Sequence, residues 1–180
     1  MPTSEETKPH LIILSDLWGI EEAHWLRHYE DALQNHFQLS ILDTPKLAGV
    51  ETHGKNQQAI HEQFLEGGID RAVHRLGKMD KTDIIMGMSI GGLIAWKSIL
   101  QGMSVQQLIA VSATRLRYEM VKPTTNITLF YGEKDDYRPN GAWIDEMGIE
   151  TTIIANADHQ LYKDSIFISH ISQLLTNGVQ

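Results

Sequence analysis

One serine, two neighbouring aspartates and one histidine in this chain have the residue types that acyl-transfer chemistry needs. They occur in the order Ser89, Asp135 and Asp136, and finally His159. A serine hydroxyl becomes an effective nucleophile when an imidazole takes its proton and a carboxylate orients that imidazole. These residue types therefore predict nucleophilic catalysis, on the condition that the fold brings them together.

Ser89 lies within a segment, residues 82–100, that reads as a strand, a tight turn and a helix. An apolar run precedes the serine and a helix-compatible run follows it. A serine on such a turn exposes its oxygen above the sheet, and Gly87 and Gly91 allow the strand and the helix to pass closely. The helix N-terminus directs free amides at a developing oxyanion. The same pattern also fits an ordinary glycine-rich turn of a parallel sheet.

The elements that would position these residues alternate between strands and helices. Apolar or alternating runs predict strands at residues 10–14, 37–43, 84–86, 105–113, 127–131 and 150–155. Helical spacing predicts helices at residues 21–34, 56–76 with a break or kink at Gly67–Gly68, 93–100, 139–148 and 162–176, while residues 46–54 read as a loop. This alternation predicts an α/β fold with a mostly parallel sheet of about six strands and helices on both faces.

Each of the three residue types is expected just past a strand end. In a parallel sheet, functional groups collect on the loops at the carboxyl ends of the strands. The loop after residues 127–131 supplies an aspartate, and the loop after residues 150–155 supplies His159. The order serine, aspartate, histidine is the order of one lineage of catalytic triads.

These motifs resemble the α/β-hydrolase family over nearly the whole chain. The acidic loop is similar to the family pattern G-x-x-D-x-x-x-P, with Gly132, Asp135 and Pro139 in register. That register favours Asp135 over Asp136 as the triad acid. The resemblance implies that Ser89 is the nucleophile, that His159 is the general base and acid, and that Asp135 orients the imidazole.

The resemblance also implies where the two oxyanion donors lie. One is the backbone amide of Ile90, directly after the nucleophile. The second comes from the loop after the first strand, where Trp18-Gly19 resembles the HGWG loop of small carboxylesterases. On that register Trp18 gives the second amide, with Leu17 as the alternative. Asp16 and Leu17 replace the usual His-Gly, which departs from the family pattern.

The connection between the predicted strands 105–113 and 127–131 is too short for the helical cap that many family members carry. We therefore expect no cap domain and an open cleft that suits accessible substrates. Candidates for lining it, each also compatible with a packing role, are Leu17, Trp18, Tyr118, Tyr137 and Trp143. Arg115 and Arg117 lie where a cap would be and either hold an acidic substrate group or are solvated surface residues.

Composition excludes several other classes of function. The chain of 180 residues carries a net charge of −8 without a run of Lys or Arg longer than a pair, which argues against nucleic acid or a membrane as partner. It has no cysteine, hence no disulfide or thiolate chemistry. Residues 1–9 form a polar leader, expected to be disordered, without a signal-peptide pattern, so a cytoplasmic location is expected.

No cofactor or metal is predicted. The chain has neither a Walker lysine nor a dinucleotide-binding fingerprint. His24 and His28 have the spacing of a metal pair, but no third ligand is identifiable, and a surface helix with two histidines is the better interpretation. Five other histidines read as surface or packing residues: His36, His53, His61, His74 and His170.

The sequence as a whole predicts one domain, residues 1–180, with the function of a serine hydrolase. Its expected substrate is a small-molecule ester or thioester, cleaved through an acyl-serine intermediate. The alternatives are a catalytically silent hydrolase-fold binding module, amide hydrolysis and acyl transfer, because fold and triad do not select among these. The residues leave the oligomeric state open.

Overall fold

A six-stranded sheet, with every strand parallel, forms the centre of the molecule in the computed structural model, which describes residues 7–178. The strands are β1 (His10–Leu14), β2 (Gln38–Leu42), β3 (Ile84–Met88), β4 (Gln107–Val111), β5 (Asn126–Gly132) and β6 (Glu150–Ile154). Their order across the sheet is β2-β1-β3-β4-β5-β6. The α/β fold class and the strand count predicted from the sequence are confirmed.

Between residues 7 and 178, seven α-helices connect or follow these strands. They are α1 (Leu26–Leu33), α2 (Thr44–Ala48), α3 (Gln57–Gln63), α4 (Ile69–Leu76), α5 (Ile90–Leu100), α6 (Gly141–Met147) and α7 (Ser165–Asn177). A π-helical turn at Phe64–Gly68 separates α3 from α4, with Gly67 at a φ of 111°. The break expected at Gly67–Gly68 is therefore present.

The helices cover both faces of the sheet because successive strand residues point to opposite sides. On one face, Ile12, Ile85 and Leu108 pack against a core formed with α3, α4 and α5. On the other face, Leu11 and Ile13 belong to a core formed with α1 and α7. The apolar runs that predicted buried strands thus fill two separate cores, as expected of a parallel sheet.

Two sequence-based expectations about helices are wrong. The first helix begins at Leu26 rather than at residue 21, because the preceding residues form consecutive tight turns. Residues 46–54, expected as a loop, overlap α2, which begins after Asp43. The Asp43 side chain accepts a hydrogen bond from the Lys46 amide, and Pro45 fits the first turn of this helix.

The connection between β4 and β5 contains only a short 3₁₀ turn, Leu116–Tyr118, and no cap domain. Of the predicted polar leader, residues 1–6 lie outside the described residues, and residues 7–9 precede β1. Within residues 7–178, no helix is both long and apolar enough to cross a bilayer. The cytoplasmic location stays a prediction.

Candidate active site

The nucleophile candidate Ser89 stands between β3 and α5 in a strained backbone conformation, with φ 52° and ψ −121°. A residue with a side chain holds this conformation only when its surroundings enforce it. The Ser89 amide donates to the Val111 carbonyl (3.0 Å), and the Thr114 amide donates to the Ser89 carbonyl (3.2 Å). These bonds to the last residue of β4 and to the loop after it fix the turn.

Close backbone approach explains why glycine stands on either side of this turn. A Cβ on Gly87 would lie 2.6 Å from backbone atoms of Gly91 and Gly92. A Cβ on Gly91 would lie 2.7 Å from the Ser15 carbonyl oxygen. Real Cβ contacts of this length do not occur, so β3, α5 and the end of β1 meet here only because side chains are absent.

The structure brings Ser89, His159 and Asp135 into one hydrogen-bonded chain. The Ser89 Oγ lies 3.1 Å from His159 Nε2, and His159 Nδ1 lies 3.0 Å from Asp135 Oδ2. Asp136 is exposed, so the carboxylate that contacts the imidazole is that of Asp135. The sequence-based preference for Asp135 over its neighbour agrees with this geometry.

Two neighbouring loops hold the imidazole and its carboxylate together. Strands β5 and β6 end side by side, with Gly132 paired to Ile154. A Cβ on Gly132 would lie 2.4 Å from the Ala157 carbonyl oxygen, so glycine permits the loop that carries His159 to approach the loop of Asp135. The Lys134 amide donates to that same carbonyl at 2.8 Å.

The Asp135 carboxylate is buried and fully engaged. Its Oδ1 accepts the Tyr137 amide (2.9 Å) while Oδ2 faces the imidazole, and the residue is 3% exposed. A carboxylate that accepts the Nδ1–H favours the tautomer whose Nε2 accepts the serine proton. The Tyr137 ring packs edge-on against the imidazole, with 4.9 Å between ring centroids, and limits its rotation.

The loop after β1 differs from the prediction in one decisive hydrogen bond. The Trp18 amide donates to Asp16 Oδ1 at 3.0 Å, an Asx turn, so this N–H is not free to bind an oxyanion. The assignment of Trp18 as second oxyanion donor is therefore wrong. Within residues 7–178 the Leu17 amide has no hydrogen-bond acceptor, and Leu17 lines the same cleft as Ser89.

Asp16 is neutralised by its neighbours rather than opposing negative charge in the cleft. It is 2% exposed, accepts the Tyr162 hydroxyl at 3.0 Å and lies 3.6 Å from Lys163 Nζ. Burial, and then the charge and hydrogen bond of Asp16, raise the pKa of Tyr162. Tyr162 therefore stays protonated and continues to donate to the carboxylate at physiological pH.

A cleft of about 430 Å³ opens above Ser89 and His159. Of the residues expected to line it, Leu17, Trp18 and Tyr137 do so, and Arg115 and Arg117 lie there as well. Tyr118 and Trp143 do not line this cleft.

Trp143 and Tyr118, the two aromatic candidates outside the cleft, make other contacts. Trp143 packs against Trp96 and donates its indole N–H to the Glu119 carbonyl. Tyr118 is 58% exposed, and its ring lies beneath the guanidinium groups of Arg115 and Arg117. Expecting these two to line the site was therefore wrong, since packing and cation–π contacts hold them outside it.

Several cleft residues carried no signal in the sequence. Helix α3 contributes Gln57, Gln58 and His61, although it follows none of the three strands that precede Ser89, Asp135 and His159. His61 was read as a surface or packing residue. Burial, and then the positive charge of Arg115, lower the pKa of His61, with Glu62 opposing them. The tertiary packing of α3 places His61 in the same cleft as Arg115, and no local sequence pattern indicates this.

Comparison with known proteins defines the fold. No protein-family model and no curated protein sequence matches this chain. Solved structures do match, among them a protein of Xanthomonas campestris pv. campestris classed with the hydrolases of the α/β superfamily. That match has a TM-score of 0.69 and 14% identity, over 97% of this chain and 98% of the other.

Two further structures are similar over comparable lengths. A CIB-like hydrolase of Thermoplasma acidophilum matches with a TM-score of 0.65 and 19% identity, over 96% of this chain and 88% of the other. An alpha-beta serine hydrolase homologue from Coxiella burnetii matches with a TM-score of 0.60 and 15% identity, over 98% and 88%. The chain has the α/β-hydrolase fold, as its sequence motifs predicted.

Proposed function

We propose that this protein is a serine hydrolase that cleaves carboxylic esters or thioesters of small, accessible substrates through an acyl-serine intermediate. The observation that carries the proposal is the pair of contacts, 3.1 Å and 3.0 Å, that link Ser89 to His159 and His159 to Asp135. An open cleft above these residues gives a substrate access to the hydroxyl.

In the first half of the reaction, the Ser89 oxygen attacks the acyl carbonyl carbon while His159 Nε2 takes the hydroxyl proton. The tetrahedral intermediate then expels the alcohol or thiol, which receives that proton from the imidazolium. In the second half, water attacks the acyl-serine with His159 again as the base. The carboxylic acid leaves and Ser89 regains its proton.

The developing oxyanion requires two donors, and we assign them to the backbone amides of Ile90 and Leu17. Ile90 is the first residue of α5, where an N–H has no intrahelical acceptor and the helix dipole favours negative charge. Leu17 replaces Trp18 in this role because the Asx turn of Asp16 occupies the Trp18 amide. Each such donor typically contributes about 10²–10³-fold to kcat.

The proposal is tested with Ser89→Ala and short 4-nitrophenyl esters. We expect the substitution to lower kcat by at least about 10³-fold, since the nucleophile is lost while the fold is kept. A fluorophosphonate probe should label wild-type Ser89 and leave the variant unlabelled. Equal activity of the two proteins together with no labelling would instead support a catalytically silent binding module.

The choice among ester, thioester, amide and acyl-transfer substrates needs a second measurement. A screen of acyl chain lengths, each offered as an ester, an anilide and a thioester, ranks the leaving groups by kcat/KM, with Ser89→Ala as the blank. An added alcohol or amine acceptor that captures the acyl group in place of water would identify an acyltransferase. We expect esters or thioesters to exceed anilides, because their leaving groups require less protonation.

A further inference from the structure

The positive charge of the cleft contrasts with the negative charge of the chain. The protein carries a net charge of −8. The charged lining of the cleft nevertheless consists of Arg115, Arg117 and Lys163 against one carboxylate, that of Asp16. Cationic lining in an acidic protein concentrates anionic substrates at the site rather than on the remaining surface.

The three cationic side chains differ in their hydrogen bonds and ion pairs. Lys163 lies 3.6 Å from the Asp16 carboxylate. Arg117 donates to the Tyr137 carbonyl (2.8 Å) and to the Tyr118 hydroxyl (3.1 Å). The Arg115 carbonyl accepts the Tyr118 amide (3.0 Å), but its guanidinium, unlike the other two cations, has no hydrogen bond or ion pair with any residue in the range 7–178. It is the cation in this cleft whose donors remain available.

The position of Arg115 is nevertheless fixed. Its guanidinium carbon lies 5.1 Å from the centre of the Tyr118 ring, and its backbone adopts a left-handed conformation with φ 69°. A left-handed conformation is unfavourable for a residue with a side chain, and such strain clusters at binding sites. The Thr114 amide, one residue earlier, is bonded to the Ser89 carbonyl, so Arg115 begins next to the nucleophile turn.

The surroundings of Arg115 leave its charge uncompensated. Arg117 shares the Tyr118 ring with it, at 4.8 Å, which places two like charges on one aromatic side chain. His61 contributes a half-buried imidazole to the same cleft, and its burial, followed by the positive charge of Arg115, lowers its pKa. An anion placed among these groups would relieve the repulsion and meet several hydrogen-bond donors.

We infer that Arg115, assisted by His61, binds an anionic group, a carboxylate or a phosphate, on the ester or thioester substrate. This inference rests on the proposed hydrolase function and adds a substrate class to it. An arginine presents paired donors that match the oxygens of either group. The anion lies on the acyl part or on the leaving group, and the two parts of the experiment distinguish these positions.

The first measurement compares matched pairs of substrates. On the acyl side, 4-nitrophenyl hydrogen adipate is compared with its methyl ester. On the leaving-group side, the acetyl thioester of 4′-phosphopantetheine is compared with that of pantetheine. We expect wild type to prefer the anionic member of at least one pair about tenfold in kcat/KM, in line with a charge-assisted hydrogen bond.

Two variants then test whether Arg115 is the residue that binds the anionic group. Arg115→Gln should reduce that preference to about one. Arg27→Gln, on the exposed face of α1, makes the same change in net charge away from the cleft and should retain the preference. Preference for the neutral member in both pairs, retention of the anionic preference in Arg115→Gln, or its equal loss in Arg27→Gln would each overturn the inference.

A binding measurement separates this inference from the hydrolase proposal. Isothermal titration of Ser89→Ala with monomethyl adipate, dimethyl adipate and 4′-phosphopantetheine reports anion binding without turnover. Preferential binding of an anion that disappears in Ser89→Ala/Arg115→Gln supports the subsite even if wild type hydrolyses no ester. Equal binding of neutral and anionic ligands, or no binding of either anion, overturns it.

Discussion

The two loops that flank the candidate oxyanion position solve the same geometric problem by different means. The turn after β3 is built by backbone sterics, because a Cβ on Gly87 or Gly91 would overlap other backbone atoms. The turn after β1 is built by a side chain, because Asp16 holds the Trp18 amide and is itself held by Tyr162 and Lys163. One turn tolerates no added atom, whereas the other depends on one carboxylate.

This difference explains why the sequence predicts the turn after β3 but not the turn after β1. A glycine requirement is local, so the pattern around Ser89 directly predicts a strand-to-helix turn. The partners of Asp16 lie on the connection before α7, some 146 residues away for Tyr162. No local pattern near Asp16 indicates that Tyr162 and Lys163 are its partners. The expectation that Trp18 donates to the oxyanion failed for this reason.

The largest expected effect comes from breaking the glycine turn. Gly87→Ala should lower the free energy of unfolding by about 3 kcal/mol or more, because the backbone of α5 must move to admit a methyl group. Urea denaturation followed by circular dichroism measures the loss. Gly141→Ala is the matched control: it begins α6, and a Cβ there would meet no atom within 4 Å.

The control should change stability by less than about 1 kcal/mol, with the higher helix propensity of alanine in its favour. If Gly87→Ala and Gly141→Ala unfold at the same urea concentration, backbone sterics do not build the turn after β3. The contrast between the two loops would then be lost, because both would rest on side-chain contacts.

A smaller effect is expected from the side-chain turn. Asp16→Ala should lower kcat for a 4-nitrophenyl ester by about 10²-fold, since the Asx turn that aims the Leu17 amide is lost. It should also cost about 1–3 kcal/mol of stability, because the buried Tyr162 hydroxyl loses its acceptor. Steady-state kinetics and urea denaturation give the two values.

Asp16→Asn provides the matched comparison, because it retains an oxygen for the Trp18 amide while removing the charge beside Lys163. We expect it to recover part of kcat, with KM similar in the two variants. A rise in KM at unchanged kcat would show that Asp16 contacts the substrate rather than positioning the loop, and the proposed role of the Leu17 amide would fall.

The smallest effect is a dependence of stability on alkaline pH. Burial raises the pKa of Tyr29, Tyr131 and Tyr162 in the folded protein, with Asp16 adding to the effect at Tyr162. The folded state therefore holds these protons more tightly than the unfolded state. The stabilisation is complete below the ordinary tyrosine pKa of about 10 and declines above it, by up to about 1.4 kcal/mol per pH unit for each tyrosine.

Urea denaturation of wild type and Tyr162→Phe between about pH 8 and pH 11 measures this slope. The variant should lose stability less steeply above about pH 10, because one protected phenol is gone. An equally steep decline would mean that Tyr162 ionises in the folded state despite its contact with Asp16. The side-chain turn would then be weaker than its geometry indicates.

Much of the fold follows from local sequence patterns, and the exceptions have physical reasons. Short apolar runs identify the central strands, which are buried on both faces, and alternation identifies the edge strand β2, which is partly exposed. Helix α2 was read as a loop because five residues show no helical periodicity. The start of α1 was placed too early because acidic residues at 21 and 22, typical of a helix start, instead lie in tight turns.

In the candidate site, too, local sequence patterns predict some features, whereas tertiary packing determines others. The spacing of Ser89, Asp135 and His159 relative to strand ends anticipates their convergence, because parallel strands end at one edge of the sheet. The contribution of His61 was missed, since it depends on how α3 packs rather than on any strand end. Local signals thus predict the candidate catalytic groups better than they predict the residues that line the cleft.

The connection between β4 and β5 has a kinetic consequence. Its one short 3₁₀ turn provides nothing that could hinge over Ser89 and shut out the solvent. For the proposed reaction, this connection therefore adds no gating step to product release, and solvent keeps access to the acyl-serine from this side of the cleft.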